Sequence, residues 1–170
     1  MKQKTILLII GFFLLTACGE TSDPRLAFEK GDYQTSYKLW MPIAEQGDPD
    51  AENYLGIHYS LGLGVDRDYK KALEWFGKAA KAGHPDAQCN YGDLYNYGLG
   101  VPKDNYEAFI WYFAAAQQGH KKAKIQMDSI AALGHISPNK QMHAKIEANT
   151  YIPDPNLHFM SHDTYIDKKK

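Results

Sequence analysis

The sequence predicts an all-α protein, a short solenoid of stacked antiparallel helix pairs. Three observations predict it. The stretch YSLGLGV, ending at Val65, returns as YNYGLGV, ending at Val101, so Tyr59, Gly62, Gly64 and Val65 recur as Tyr95, Gly98, Gly100 and Val101 at a spacing of 36. The register holds outside this loop, where Ala72, Trp75, Phe76, Ala79, Ala80, Gly83 and His84 map onto Ala108, Trp111, Tyr112, Ala115, Ala116, Gly119 and His120. Weaker copies flank the two good ones and keep the register through Trp40, Ala44 and Gly47 upstream and Ala123, Gly134 and Ala144 downstream. A period of roughly 20–50 residues marks a repeat architecture, and end copies decay because one of their faces meets water.

Each unit reads as two helices. The first opens on GDPDA or GHPDA. Asp48, or more weakly His84, caps it, Pro49 or Pro85 takes the first helical position, and Asp50 or Asp86 lies where the helix dipole favours a negative charge. These helices are expected at 49–61, 85–97 and 120–133. Gly62 and Gly98 end them, the second glycine of each loop reverses the chain, and Val65 and Val101 tuck back under the pair. In DYKKALEWFGKAAKAG, Ala72, Leu73, Phe76, Ala79 and Ala80 form one apolar stripe at helical spacing, with the lysines mostly off it. The second helices are expected at 69–82, 105–118 and 138–149. Asp68 and Asp104 cap them, Asp104 with Glu107 has the capping-box pattern, and Gly83 and Gly119 suit the left-handed position after the helix. One such hairpin cannot hide its own apolar face, so successive hairpins stack.

The pattern AxxxLGxxYxxGxGVxxDYxKAxxWxxKAAxxG, carried by Leu55, Gly56, Tyr59, Gly62, Gly64, Val65, Ala72, Trp75, Ala79, Ala80 and Gly83, resembles the Sel-one-like repeats, relatives of the tetratricopeptide repeat. The resemblance is strong across 51–119 and weaker at 26–50 and 120–148. It implies a right-handed superhelix with full units at about 51–86 and 87–122, degenerate cap units at 26–50 and 123–149, and a role in binding proteins. Matched to the tetratricopeptide pattern, the concave face would present Asp50, Asn53, Ile57 and Ser60. In the second unit it would present Asp86, Cys89, Asp93 and Asn96, and in the third Lys122, Ile125, Ser129 and Ala132. Small polar and apolar residues mix there, which suits an extended peptide or a partner's helix.

Residues 1–17 read as a signal peptide, with Lys2 and Lys4 before an apolar run too short to span a bilayer. The run ends in Leu15-Thr16-Ala17-Cys18, which resembles a bacterial lipobox. The resemblance implies cleavage before Cys18, acylation of Cys18, and a short polar tether over 18–25. Gly19 in place of Asp implies the outer membrane, facing the periplasm. Several acyl chains, at about 0.8 kcal/mol per buried methylene, would anchor the protein without a spanning helix.

Cleavage would remove two of the 19 basic residues and none of the 20 acidic ones, leaving a mildly acidic chain of one-domain size. Without basic excess, nucleic acid is not an expected partner. The expected partner is a protein or peptide, with the membrane reached through the lipid anchor and the chain itself a monomer. With Cys18 acylated, Cys89 is the single remaining cysteine, so no internal disulfide is expected. Residues 150–170 break the repeat with Pro153 and Pro155, yet carry Tyr151, Ile152, Leu157, Phe159, Met160, Tyr165 and Ile166. Part of this tail is expected to pack over the last helix.

Chemistry finds little purchase in the pattern. Seven histidines form no zinc-spaced motif, and no cofactor or metal site is expected. His84 and His120 recur at one inter-unit turn, a structural role, and His158 and His162 lie in the proline-rich tail. Cys89 has no visible base beside it. GLG follows a helix rather than a strand, so it is not a phosphate loop. The aromatic residues Trp75, Phe76, Trp111, Tyr112 and Phe113 read as core. A cysteine-rich branch of the repeat family is linked to penicillin binding and hydrolysis, and each of its units carries a disulfide. A weak, β-lactamase-like cell-wall hydrolase is therefore a second reading, poorly supported because those disulfides are absent. No catalytic residue is assigned.

Overall fold

The computed structural model describes residues 22–153, which hold eight α-helices and no strand among them. They are α1 (Pro24–Glu29), α2 (Tyr33–Ala44), α3 (Pro49–Leu61), α4 (Tyr69–Lys81), α5 (Pro85–Tyr97), α6 (Asn105–Gln117), α7 (Lys121–Ala132) and α8 (Pro138–Ala148), followed by a 3-10 turn at Asn149–Tyr151. Residues 1–17, Cys18 and the tail beyond Pro153 lie outside the described residues. None of the described helices is long and apolar enough to cross a membrane.

Local chemistry sets the helix starts. Asp48 accepts the backbone N–H of Ala51 at 2.9 Å, Asp68 those of Lys70 and Lys71, and Asp104 those of Tyr106 and Glu107. His84 and His120 do the same work through Nδ1, which accepts from Ala87 at 3.2 Å and Ala123 at 3.1 Å. A ring nitrogen with a lone pair thus replaces the carboxylate oxygen of Asp48. The reciprocal half of the Asp104–Glu107 capping box does not form. The Asp104 N–H donates to the Tyr95 carbonyl instead (3.0 Å), as the Asp68 N–H donates to Tyr59 (2.9 Å). These two bonds lash each second helix to the first helix of its own unit.

The repeated loop has a stacking cause. Gly64 and Gly100 adopt positive φ, +70° and +74°. A Cβ on Gly64 would stand 2.6 Å from the Tyr33 carbonyl carbon, and one on Gly100 would stand 2.7 Å from that of Tyr69. Each glycine presses on the first residue of the second helix in the unit before, so one inter-unit contact is written twice, 36 residues apart. Val65 packs half-buried against the core between them.

The core follows the predicted stripe. Ala72, Phe76, Ala79 and Ala80 are buried, and so are Ala108, Trp111, Tyr112 and Ala115, while Trp75 and Phe113 are half-buried. From α1 to α7 each helix packs on the next, and α8 lies on α6. At the N-terminal end α1 serves as lid. Phe28 meets Tyr54 edge-on, and Arg25 rides over the Trp40 and Tyr54 rings.

At the other end the chain turns back along the solenoid. Tyr151 lies on Trp111 with ring centroids 4.3 Å apart, and its carbonyl accepts from Nε2 of the buried Gln88 at 2.8 Å. Pro153 lies over the Gly83 turn. The described part of the tail therefore reaches past α8 and covers the second unit. Gln88 is satisfied throughout, since Nε2 also donates to Ala80 and Oε1 accepts from Gln118.

Candidate functional site

The first helices α3, α5 and α7 stand side by side and open a groove near their N-termini, with a volume of about 400 Å³. Asp50, Asn53, Ile57, Asp86, Cys89 and Lys122, all expected on the concave face, line it. Arg25, Phe28, Tyr54, His84, Asn90 and His120 complete the wall. Asp93 stands behind Lys122 and bonds it at 2.6 Å. Ser60, Asn96, Ile125 and Ser129 are not brought into this groove. Ser60 turns its hydroxyl onto the Ile57 carbonyl, Asn96 is half-buried, and Ile125 and Ser129 face solvent further along α7.

The charges in the groove are paired along the solenoid axis. Asp50 forms an ion pair with Arg25 of the lid helix and accepts from His84 Nε2 at 2.8 Å. One repeat later, Asp86 meets His120 Nε2 at 3.1 Å. In both histidines Nδ1 accepts the cap bond, so in the neutral ring the proton sits on Nε2 and points at the carboxylate. Each ring therefore starts one helix and ties it to the helix 34 residues earlier. Asn53 and Asn90 bridge the same boundary, Nδ2 of Asn90 donating to Oδ1 of Asn53 at 3.1 Å.

In the third unit the carboxylate is replaced by Lys122, which breaks the row of acids. Burial works against its ammonium, and the Asp93 carboxylate outweighs burial, holding the amine above its ordinary value. Asp93 also accepts from the buried Tyr112 hydroxyl at 2.6 Å, and burial together with this bond raises the phenol. Cys89 forms the groove's floor and is 1% exposed. Burial first, then the Asp93 charge, pushes its thiol up to about 12, so the thiolate needed by a nucleophile or metal ligand is absent near neutral pH. Among the described residues no three metal-ligating side chains converge. The site offers paired dipoles, amide groups and the Phe28 and Tyr54 rings.

Sequence reasoning missed Arg25, Phe28, Tyr54 and Asn90 because none repeats in register. His84 and His120 did repeat, and with Asp50 and Asp86 they give Asp-Ala at one helix start and His 34 residues on, a signal that the pairing makes legible.

The family model of the Sel1 repeat matches residues 49–84 and 85–120, two residues earlier in phase than the units framed from the sequence. No curated protein matches the chain. Among solved structures, a protective antigen of uropathogenic Escherichia coli strains displaying an SLR fold superposes with a TM-score of 0.69 at 23% identity, over 75% of this chain and 28% of that one. A Sel1 repeat protein from Oxalobacter formigenes superposes with a TM-score of 0.63 at 30% identity, over 74% of this chain and 54% of that one. The chain thus spans little more than a quarter of the first structure's length and about half of the second's. Residues 49–84 and 85–120 are two Sel1 repeats, stacked with their flanking helices into an SLR-type solenoid.

Proposed function

We propose that this protein is a lipid-anchored envelope scaffold that holds a segment of a partner protein in the groove across its repeats. The observation that carries the reading is the groove itself, whose wall comes from the lid helix and three successive first helices. Sel1-repeat folds suggest protein-interaction scaffolds, and solenoids of this kind use an extended concave surface for binding. Asp50 is balanced by Arg25 and Lys122 by Asp93, whereas Asp86 meets an imidazole nitrogen and, among the described residues, no Lys or Arg, so its carboxylate is the charge an entering peptide would meet. Asp50 and Asp86 keep half or more of their side chains exposed, leaving carboxylate oxygens for peptide N–H groups. The protonated thiol of Cys89 supports binding over catalysis.

The anchor rests on the lipobox-like Leu15-Thr16-Ala17-Cys18, with Gly19 favouring the outer membrane and the periplasmic side. The chain acts in this reading as a monomer. A photo-crosslinking residue at Ile57, used in the native host and read by mass spectrometry, tests the groove. A single partner should be captured and lost in the Asp86→Lys variant. Capture unaffected by Asp86→Lys, or no capture at all, would overturn the groove reading. For the anchor, Cys18→Ala should abolish incorporation of labelled palmitate and move the protein out of the membrane fraction. Retention there would overturn it.

A further inference from the structure

The described chain leaves the solenoid at the rim of the groove. After α8 it runs along α6 toward the edge where the first helices begin. Glu147 of α8 accepts from the Tyr106 hydroxyl at 3.1 Å, near the start of α6. Tyr151 then lies on Trp111, further along α6, and its carbonyl accepts from Gln88 of α5. Pro153 reaches the Gly83 turn, where its Cγ stands 2.6 Å from the place a Cβ on Gly83 would take. The residue after Gly83 is His84, whose ring caps α5 and forms part of the groove wall.

Backbone chemistry carries the chain onward from there. Ile152 is extended, with φ −94° and ψ +121°. Pro153 and Pro155 fix their own φ and disfavour helical backbone at the residues before them, Ile152 and Asp154. A reversal onto α4 is thereby opposed, although a small apolar cleft lies there between Leu73, Gly77 and Tyr91.

Length and composition match the groove. Residues 154–170 lie outside the described residues, and an extended chain of that length reaches about 55 Å. Three helices side by side, at about 8–10 Å spacing, make a groove about 20 Å across. Leu157, Phe159 and Met160 come early in the segment, within roughly 13–23 Å of Pro153 along an extended chain. The groove meets them with Phe28, Tyr54 and Ile57, all half-buried. Asp154, Asp163 and Asp167 balance Lys168, Lys169 and Lys170, so burial of apolar side chains, not net charge, favours docking. So short a link holds the segment near the groove at an effective concentration on the order of millimolar, which a partner's segment has to overcome.

We propose that residues 154–170 turn over the Gly83–His84 edge and lay Leu157, Phe159 and Met160 in the groove, as a built-in competitor of the partner's segment. The proposal rests on the reading of the groove as a peptide site and adds the regulation of that site. The test uses the purified full chain, as an equal mixture of light and heavy-isotope protein, with a photo-crosslinking residue at Ile57. Mass spectrometry should find Ile57 joined to the segment around Leu157–Met160 within one chain. Changing Leu157, Phe159 and Met160 together to Asp should cut that product about tenfold or more, with the circular dichroism spectrum unaltered. A fluorescein-labelled peptide of residues 154–170 supplies a second readout. It should bind the triple-Asp chain about tenfold or more tighter than the parent chain, whose own tail competes. Mixed-isotope products, capture of the tail from Glu74 beside the α4 cleft instead of from Ile57, a product indifferent to the Asp changes, or equal or absent peptide binding would each overturn the proposal. Partner capture in the host without the tail product removes this proposal alone. The tail product without partner capture removes the scaffold reading and leaves the tail in its groove.

Discussion

His84 and Asp50 meet across a repeat boundary, Nε2 2.8 Å from the carboxylate, while Nδ1 of the same ring accepts the Ala87 N–H at 3.2 Å. Substitution separates the two roles. Asn at 84 keeps an oxygen to cap α5 but loses the reach to Asp50, so His84→Asn should cost less than about 1 kcal/mol. His84→Ala loses cap and bridge together and should cost about 1–2 kcal/mol. Urea midpoints of the two variants measure this. An Ala variant as stable as the Asn variant would remove the capping role.

Gly100 and Gly119 share a left-handed backbone and differ in surroundings. Gly119 has φ +88° with nothing within 4 Å of where a Cβ would go, whereas Gly100 presses on the Tyr69 backbone. Gly119→Ala should therefore cost only the conformational penalty, about 1–2 kcal/mol. Gly100→Ala adds a clash with main chain that can be relieved only by separating two units, and should cost at least about 1 kcal/mol more than Gly119→Ala. Thermal melts of both variants decide this, and equal losses would mean that the loop glycine answers to its own φ rather than to stacking.

These contrasts also show where sequence reading reached and where it stopped. Helix starts at Pro49, Tyr69, Pro85 and Asn105 were legible because caps, prolines and the apolar period are local chemistry repeated at fixed spacing. Half of the groove was legible too, since the inward face of α3 and α5 follows from helical geometry once their buried face is known. Ile125 and Ser129 missed the groove because its opening narrows to the first turn of α7, where Lys122 turns to Asp93, and superhelical curvature is not written in any one unit. The Glu107 box was misread because the Asp104 N–H had a tertiary acceptor, Tyr95, that no local pattern shows. The return of Tyr151 and Pro153 to Trp111 and Gly83 has no period at all and depends on a contact 63 residues away in sequence, from Gln88.

Cys89 gives a chemical check on the groove floor. At 1% exposure and with its thiol pushed up to about 12, it should resist Ellman's reagent in the native protein at mildly alkaline pH and react fully in urea. Asp93→Asn removes the second cause of the shift but leaves burial, the larger one, so native labelling should stay slow. Rapid native labelling would show the floor to be open, and with it the groove to be deeper than the walls described.

His58 makes the stability of the first unit depend on pH. Its ring is fully buried where the second unit has Leu94 in register, with Nδ1 on the Leu63 carbonyl at 2.6 Å and Nε2 3.2 Å from the Ser36 hydroxyl. Phe28, Tyr33 and Tyr37 surround it edge-on. The Leu63 carbonyl accepts only from a protonated Nδ1, so the neutral ring carries its proton there and takes the Ser36 hydrogen bond on Nε2. Burial lowers the folded-state pKa below the usual histidine value, with the Leu63 bond opposing in part. The unfolded chain then binds this proton more readily than the folded one. The stability linked to His58 is complete above about pH 6.5 and falls as pH drops below it toward the lowered folded-state value. Glu52, whose carboxyl burial raises, acts in the opposite sense over lower pH, so the comparison must isolate the ring. His58→Leu does so, since it writes the second unit's residue into the first. Between pH 7.5 and 5.5 the urea midpoint of the parent should fall further than that of His58→Leu. Parallel falls would show that the ring titrates alike in both states and that its burial carries no proton linkage.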